Sequence, residues 1–130
     1  KTSKQHGFEL NNRYNFEQIQ FHNKLSYTVS KDGDGKDQLR RPNWQNTATM
    51  YYNNFYVDWN YYGEHKDIDA STYARKDMKA VDTIDIGYNI TKDNTTFFWS
   101  INNLFNERYE RPDGYNQYDR NINIGFRKHF

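Results

Sequence analysis

The residues of this chain that could do chemistry lie in three polar runs. In the first, Asp32-Gly33-Asp34-Gly35 with Asp37 has the spacing that opens a calcium loop, because alternate carboxylates can converge on one cation. The bidentate Glu that would close such a loop is missing, position 43 being Asn. A solvated, glycine-rich loop tip is therefore expected, with Ca2+ as the alternative. The other two runs carry Tyr73, Arg108, Tyr109, Arg111, Tyr115 and Tyr118. Aromatic and guanidinium groups on connectors are common ligand anchors, since Tyr buries area at low entropic cost and still offers an O–H. The competing expectation is that these side chains pack on one another. His6, His22, His65 and His129 share no spacing, cysteine is absent, and no nucleophile–base pair or phosphate loop occurs. No enzyme and no cofactor is expected.

The elements that must position these residues follow from alternation. Between Asn121 and Phe130, Ile122, Ile124, Phe126 and Phe130 share one face, while Asn121, Asn123, Gly125, Arg127 and His129 share the other. A period of two with one apolar face marks a strand. The same pattern runs through Gly7 to Phe16, Ile19 to Val29 (with Asn23 an exception on the apolar side), Trp44 to Tyr52, Phe55 to Tyr62, the stretch around Ile84 to Ile90, and Phe97 to Asn102. Turns are expected at Asn15 to Gln18, Asn53-Asn54, where Asn tolerates positive φ, and Thr91 to Asn94. Seven strands thus form a meander whose short turns alternate with long connectors, and those connectors carry more than half of the charged residues.

Length and composition narrow the class. The chain has 130 residues, with 18 basic against 17 acidic, so no basic footprint for nucleic acid exists. A mean hydropathy of -1.25 reads as very polar, yet aromatic residues make up 18%. Disordered chains are poor in aromatics. A sheet with lipid on one face and water on the other reconciles both figures, because hydropathy averages over alternating residues. No run of about 18 apolar residues could form a membrane helix. Aromatics also cluster by height: Tyr14, Phe16, Tyr52, Phe55, Tyr88, Phe97 and Phe130 toward the short turns, Tyr27, Trp44, Trp59 and Tyr61 toward the long connectors. Two such girdles are what amphipathic rings form at membrane interfaces. The fold class expected is all-β, an antiparallel up-and-down transmembrane β-barrel segment. On the inward face, Glu9, Arg13, Lys24, Asp58, Asp85 and Arg127 are expected to neutralise one another as ion pairs or to line a solute path.

The closing strand with its terminal Phe130 resembles the C-terminal signal of bacterial outer-membrane barrels. Gly7-Phe8-Glu9-Leu10, Arg41-Pro42 before a strand, and Ile101-Asn102-Asn103-Leu104-Phe105-Asn106 with Tyr109 resemble segments of TonB-dependent receptors. The Gly114-Tyr115 and Arg120 spacing is most similar to the vitamin B12 (cobalamin) branch of that family. The resemblance implies that residues 1–130 are about seven strands from the C-terminal part of a 22-stranded barrel, excerpted without its plug domain. It implies uptake of a scarce nutrient, cobalamin or an iron-siderophore, with the TonB complex acting through the plug. Membrane lipid, lipopolysaccharide and the barrel assembly machinery are the other implied partners, with Gly125, Phe126 and Phe130 as the assembly signal. A passive porin or autotransporter barrel, and a soluble ligand-binding β-domain, are the alternatives.

One expectation is directly testable. Recognition by strand addition needs backbone hydrogen bonds for affinity and alternate side chains for selection. Deleting Phe130, which adds no charge, should lower the amount of folded full-length protein far more than Asn123→Ser on the polar face. Heat-modifiable gel migration measures this, and normal folding without Phe130 would remove the ending as an assembly signal.

Overall fold

The alternating runs become strands, and no helix occurs among the described residues. A computed structural model describes residues 2–130. The strands are β1 (Lys4–Phe16), β2 (Ile19–Lys31), β3 (Trp44–Tyr52), β4 (Phe55–Tyr62), β5 (His65–Ile68), β6 (Arg75–Met78), β7 (Val81–Lys92), β8 (Thr95–Asn102) and β9 (Asn121–Lys128). Seven of them form one antiparallel sheet in the order β1-β2-β3-β4-β7-β8-β9, while β5 and β6 pair separately as a hairpin. The up-and-down meander matches the expected one. The hairpin was not expected: the segment from Gly63 to Lys79 reads as a plain connector because its charged residues mask any alternation. β1 and β2 also reach further than their apolar runs, to the pair Lys4↔Lys31.

Turn chemistry sets the register. Asn53 has φ +52°, and Asp93 and Asn94 have φ +49° and +59°, the left-handed pair that a two-residue hairpin favours. Asn54 ties the second turn to β7, its Nδ2 donating to Asn89 O at 2.7 Å. The ladders are staggered in one direction. β1 and β2 continue past the last β2–β3 pair, Tyr27↔Trp44, and β7 and β8 continue past the last β4–β7 pair, Phe55↔Tyr88. Progressive stagger of this kind is the shear that lets tilted strands close into a barrel.

Burial is inverted relative to a water-soluble domain. Among the described residues no hydrophobic side chain is buried, whereas Ser30, Asn46, His65, Asp67, Asn103 and Asp113 are. Phe8, Leu10, Tyr14 and Phe16 on β1, and Ile122, Ile124 and Phe126 on β9, all stand exposed on one face. Rings on that face meet across strands: Tyr27 and Trp44 at 4.6 Å toward the long connectors, Phe55 and Tyr88 at 4.6 Å toward the turns. Asn23, the exception, shares its place with a second amide, donating from Nδ2 to Asn46 Oδ1 at 2.8 Å.

On the polar face two glycines lie beneath rings. Gly87 pairs with Tyr56, and a Cβ on Gly87 would sit 2.3 Å from that ring. Gly125 pairs with Phe98, whose ring tip would lie 2.5 Å from an added Cβ. A ring laid over a facing glycine restores packing that the glycine lacks. Gly87→Val should therefore destabilise the full-length barrel by about 1–3 kcal/mol, as overpacking does. Tyr56→Ala should cancel much of that loss in the double mutant. Unfolding by urea in lipid vesicles measures both, and strictly additive effects would refute the pairing.

Candidate functional site

The three long connectors meet at one end of the sheet around a single carboxylate. Asp67 on β5 is fully buried, at 0% exposure. Its Oδ1 accepts from Arg40 Nε and from the Ile68 N–H, both at 2.8 Å, and its Oδ2 accepts from the Asp113 N–H at 2.9 Å. Arg40 belongs to the first connector and Asp113 to the third, so the hairpin is tied to both. Burial alone would raise the pKa of Asp67; the N–H donors of Asp113 and Ile68 and the Arg40 guanidinium outweigh it and hold the group below the usual carboxylate range. Asp113 in turn accepts from Lys76 Nζ at 2.8 Å and from the Ala70 N–H at 3.0 Å, and both lower its pKa. Asp69, in the hairpin turn, is brought down to about 2 by the N–H groups of Thr72 and Ser71.

The third connector leans over the polar face of the sheet. The Arg111 guanidinium lies 4.2 Å from the centre of the Tyr62 ring and 5.8 Å from that of Tyr109. Tyr62 is fixed in its turn by donating its O–H to Arg40 O at 2.9 Å. Gln117 braces the loop, donating from Nε2 to Arg111 O at 2.6 Å and from its backbone N–H to Tyr109 O at 3.0 Å. Between Arg111, Tyr109 and the wall residues Tyr62, Asn60, Thr47 and Thr83 is a cleft of about 340 Å³. Its lining is rich in hydroxyls and amides, with one fixed cation, so it can hydrogen-bond a polar solute and attract an anionic one.

The site residues expected from sequence are placed as follows. Arg111 and Tyr109 line this cleft; Arg108, Tyr109 and Tyr118 border a second depression of about 510 Å³. Tyr73 and Tyr115 stand on exposed loop tips, outside both. Sequence reasoning missed Tyr62 and Asn60, although their position on the inward face at the long-connector end was the available signal. Asp32, Asp34 and Asp37 do not gather. Asp32 accepts from the Asp34 and Lys36 N–H groups and from Arg75 Nη2, and Asp37 pairs with Lys31 at 2.6 Å. No group of three or more His, Cys, Asp or Glu residues able to hold a metal occurs among the described residues. Of the six inward charges, only Lys24 and Glu9 pair, at 3.8 Å, among the described residues. Asp58 and Asp85 instead face each other across β4 and β7.

The closing strand and the Asn-Leu-Phe run are built as one piece. Asn103 is buried and accepts from the Glu107 N–H at 2.8 Å, while its Nδ2 donates to Glu107 O at 2.9 Å. Asn106 Oδ1 accepts from the Arg120 N–H at 2.8 Å, and Arg120 Nη1 donates to Leu104 O at 3.3 Å. Phe126 meets Phe97 at 6.1 Å on the apolar face, and Phe130 lies fully exposed beyond β9. Gly125 lies beneath the Phe98 ring.

With this geometry in hand, comparison with solved structures gives a match. The chain aligns with the ferripyoverdine receptor of the outer membrane of Pseudomonas aeruginosa, bound to ferripyoverdine, at a TM-score of 0.75. Identity is 16%, over 92% of this chain and 19% of that receptor. No protein-family model matches, and no curated protein matches in sequence. The likeness establishes the fold: the seven-stranded sheet has the architecture of a section of that receptor's β-barrel, and it spans under a fifth of the receptor's length.

The loop cluster has a defined pH response. Asp67, Asp69 and Asp113 have lowered pKa values in the folded state, so the folded loops bind fewer protons than the unfolded chain. Their stabilisation is complete above the ordinary carboxylate pKa of about 4 and is lost as pH falls through the folded values, about 2 for Asp69. Amide exchange in segments 63–79 and 106–120 of the full-length protein should accelerate, beyond the intrinsic pH trend, between pH 4 and pH 2.5. Protection that stays constant over that range would overturn the assignment.

Proposed function

We propose that this chain is part of an outer-membrane receptor of the TonB-dependent kind, and that it takes part in uptake of an iron-siderophore. The inverted burial carries this reading: a sheet with no buried hydrophobic residue and two girdles of rings fits a wall with lipid outside and water inside. The likeness to a ferripyoverdine receptor supports the same assignment at the level of fold. In this reading the Asp67 cluster holds the external loops in place, and the cleft of Arg111, Tyr62 and Tyr109 is the part of this chain that touches the ligand. The plug, the TonB contact and contact with the assembly machinery complete the cycle, and the first two belong to parts of the receptor other than these residues.

The residues whose spacing is similar to cobalamin receptors are occupied within the loop itself. Arg120, part of the spacing similar to cobalamin receptors, spends its backbone N–H and its guanidinium on Asn106 and Leu104. Gly114 has φ +81° and donates its N–H to Glu110 at 2.7 Å. Both are explained by the loop's own architecture, so that spacing gives no reason to favour cobalamin. A cleft with a single guanidinium among hydroxyls suits an anionic, oxygen-rich chelate.

In the full-length receptor, Arg111→Ala should weaken binding of the ferric siderophore about tenfold or more, the scale of an anchor residue. Tyr73→Ala and Tyr115→Ala, on the tips, should cost less. Titrating a panel of ferric siderophores and cobalamin against folded receptor measures this. Binding of cobalamin alone, or siderophore affinity unchanged by Arg111→Ala, would overturn the proposal.

A further inference from the structure

One buried polar group is left over from the loop cluster. His65 opens β5 at 8% exposure, and its Nε2 is enclosed with no hydrogen-bond partner among the described residues. Its Nδ1 lies 3.2 Å from Gly63 O. A carbonyl can only accept, so Nδ1 carries the hydrogen, and in the neutral ring Nε2 is a bare lone pair. Gly63 cannot move aside. Its N–H donates to Trp44 O at 2.9 Å, and an added Cβ would lie 2.6 Å from that oxygen. The imidazole is thereby pinned edge-on to Tyr62, with 5.0 Å between ring centres and 83° between their planes. Tyr62 is the ring on which the Arg111 guanidinium rests.

Charge decides what this contact tolerates. A proton on Nε2 would set a second cation against a ring that already carries Arg111, and the new N–H would have no acceptor. The groups around His65 do not offset that charge. From β4 it meets the Tyr62 phenol, and across the hairpin the thioether of Met78 on β6. The cavity of about 570 Å³ that His65 lines adds Asp37 and Arg41 from the first connector, Glu64 and Lys66 from either side of it, and Asp77 and Lys79 from the far strand and its end. Asp37 is paired with Lys31, Asp77 with Lys66, and Asp67, two residues along β5, with Arg40. Among the described residues that leaves Glu64 as the unengaged carboxylate here, against Arg41, Lys79 and Arg111, none of which meets a carboxylate. The surroundings oppose the proton.

We infer that His65 is a positioning residue for the cleft, holding the Tyr62 ring beneath Arg111 while its imidazole is neutral and releasing it when the imidazole takes up a proton. The inference rests on the reading of that cleft as the ligand site. Its sign follows from linkage. The closed arrangement admits the neutral ring alone, whereas the opened one binds a proton. The closed form therefore loses population as pH falls below about 6, where histidines titrate. That window lies above the one in which Asp67, Asp69 and Asp113 act, so the two responses separate. A ligand held by Arg111 binds less tightly on the acid side.

Amide exchange in segments 62–68 and 109–117 of the full-length protein reads the arrangement without any ligand. From pH 7.5 to pH 5.5, exchange in the wild type should accelerate about tenfold, after correction for the intrinsic trend. His65→Phe keeps a ring but takes no proton, and His65→Gln keeps a donor for Gly63 O; both should lose that acceleration. Affinity for the ferric siderophore that the wild type binds best should fall by a similar factor over the same range, and stay level in both variants. Wild-type exchange that is indifferent to pH between 7.5 and 5.5, or an acceleration that persists in either folded variant, would overturn the role given to His65. Failure of every ferric siderophore to bind would instead overturn the reading of the cleft, while the exchange result still decides the role of His65.

Discussion

Everything in this structure depends on a single sheet with one apolar and one polar face. Its strands pair edge to edge, which leaves the side chains of one face with no protein layer to pack against. A water-soluble domain would hide those side chains under a second layer. Here the rings and aliphatic groups stay exposed, and the buried positions are polar. Stability therefore comes from the backbone ladder, from cross-strand pairs such as Tyr27 with Trp44, and, in the proposed setting, from transfer of the apolar face out of water. The glycines under Tyr56 and Phe98 belong to the same arrangement, since on an inner wall a ring can lie flat only where the facing residue has no Cβ.

The connectors are built on the opposite principle. They have little apolar surface, so charge and backbone donors do the ordering. Asp67 is the clearest case: a fully buried carboxylate stabilised only because three donors from three places converge on it. Such a group is weak as a source of net stability but strict about geometry, because a misplaced loop leaves the charge unpaired. Arg111 can stand over Tyr62 because Tyr62 is bonded to Arg40, and Arg40 is bonded to Asp67. The cleft is thus ordered by the same cluster that fixes the loops, which under the proposed function leaves less ordering for a ligand to impose.

Much of the sheet was legible in the sequence, and the reason is physical. Alternation, Asn at positive-φ turns and the unequal connectors are local signals, and each was realised in β1–β4 and β7–β9. The hairpin β5–β6 was not legible, because neither face of it is apolar: it is held by Lys66 with Asp77 and by Asp67. Of the site, Arg111 and Tyr109 were legible as types of residue, but not the partner Tyr62, which is distant in sequence and meets them only when the third connector folds back. Asn23 had no explanation until its amide was seen to bond Asn46.

Resemblance in sequence and likeness in structure also report on different things here. The Asn-Leu-Phe run, the most specific of the similar segments, proves to be a clamp: Asn103 and Asn106 tie the base of the third connector to β8 and to the residues entering β9. Any sheet that must turn a long connector back into the next strand faces the same problem. Such residues mark the architecture. Under the proposed function, discrimination between ligands would have to come from groups other than these clamps. In this chain the ring of Tyr62, the guanidinium stacked above it, and the hydroxyls and amides beside them line the cleft where wall and loop meet.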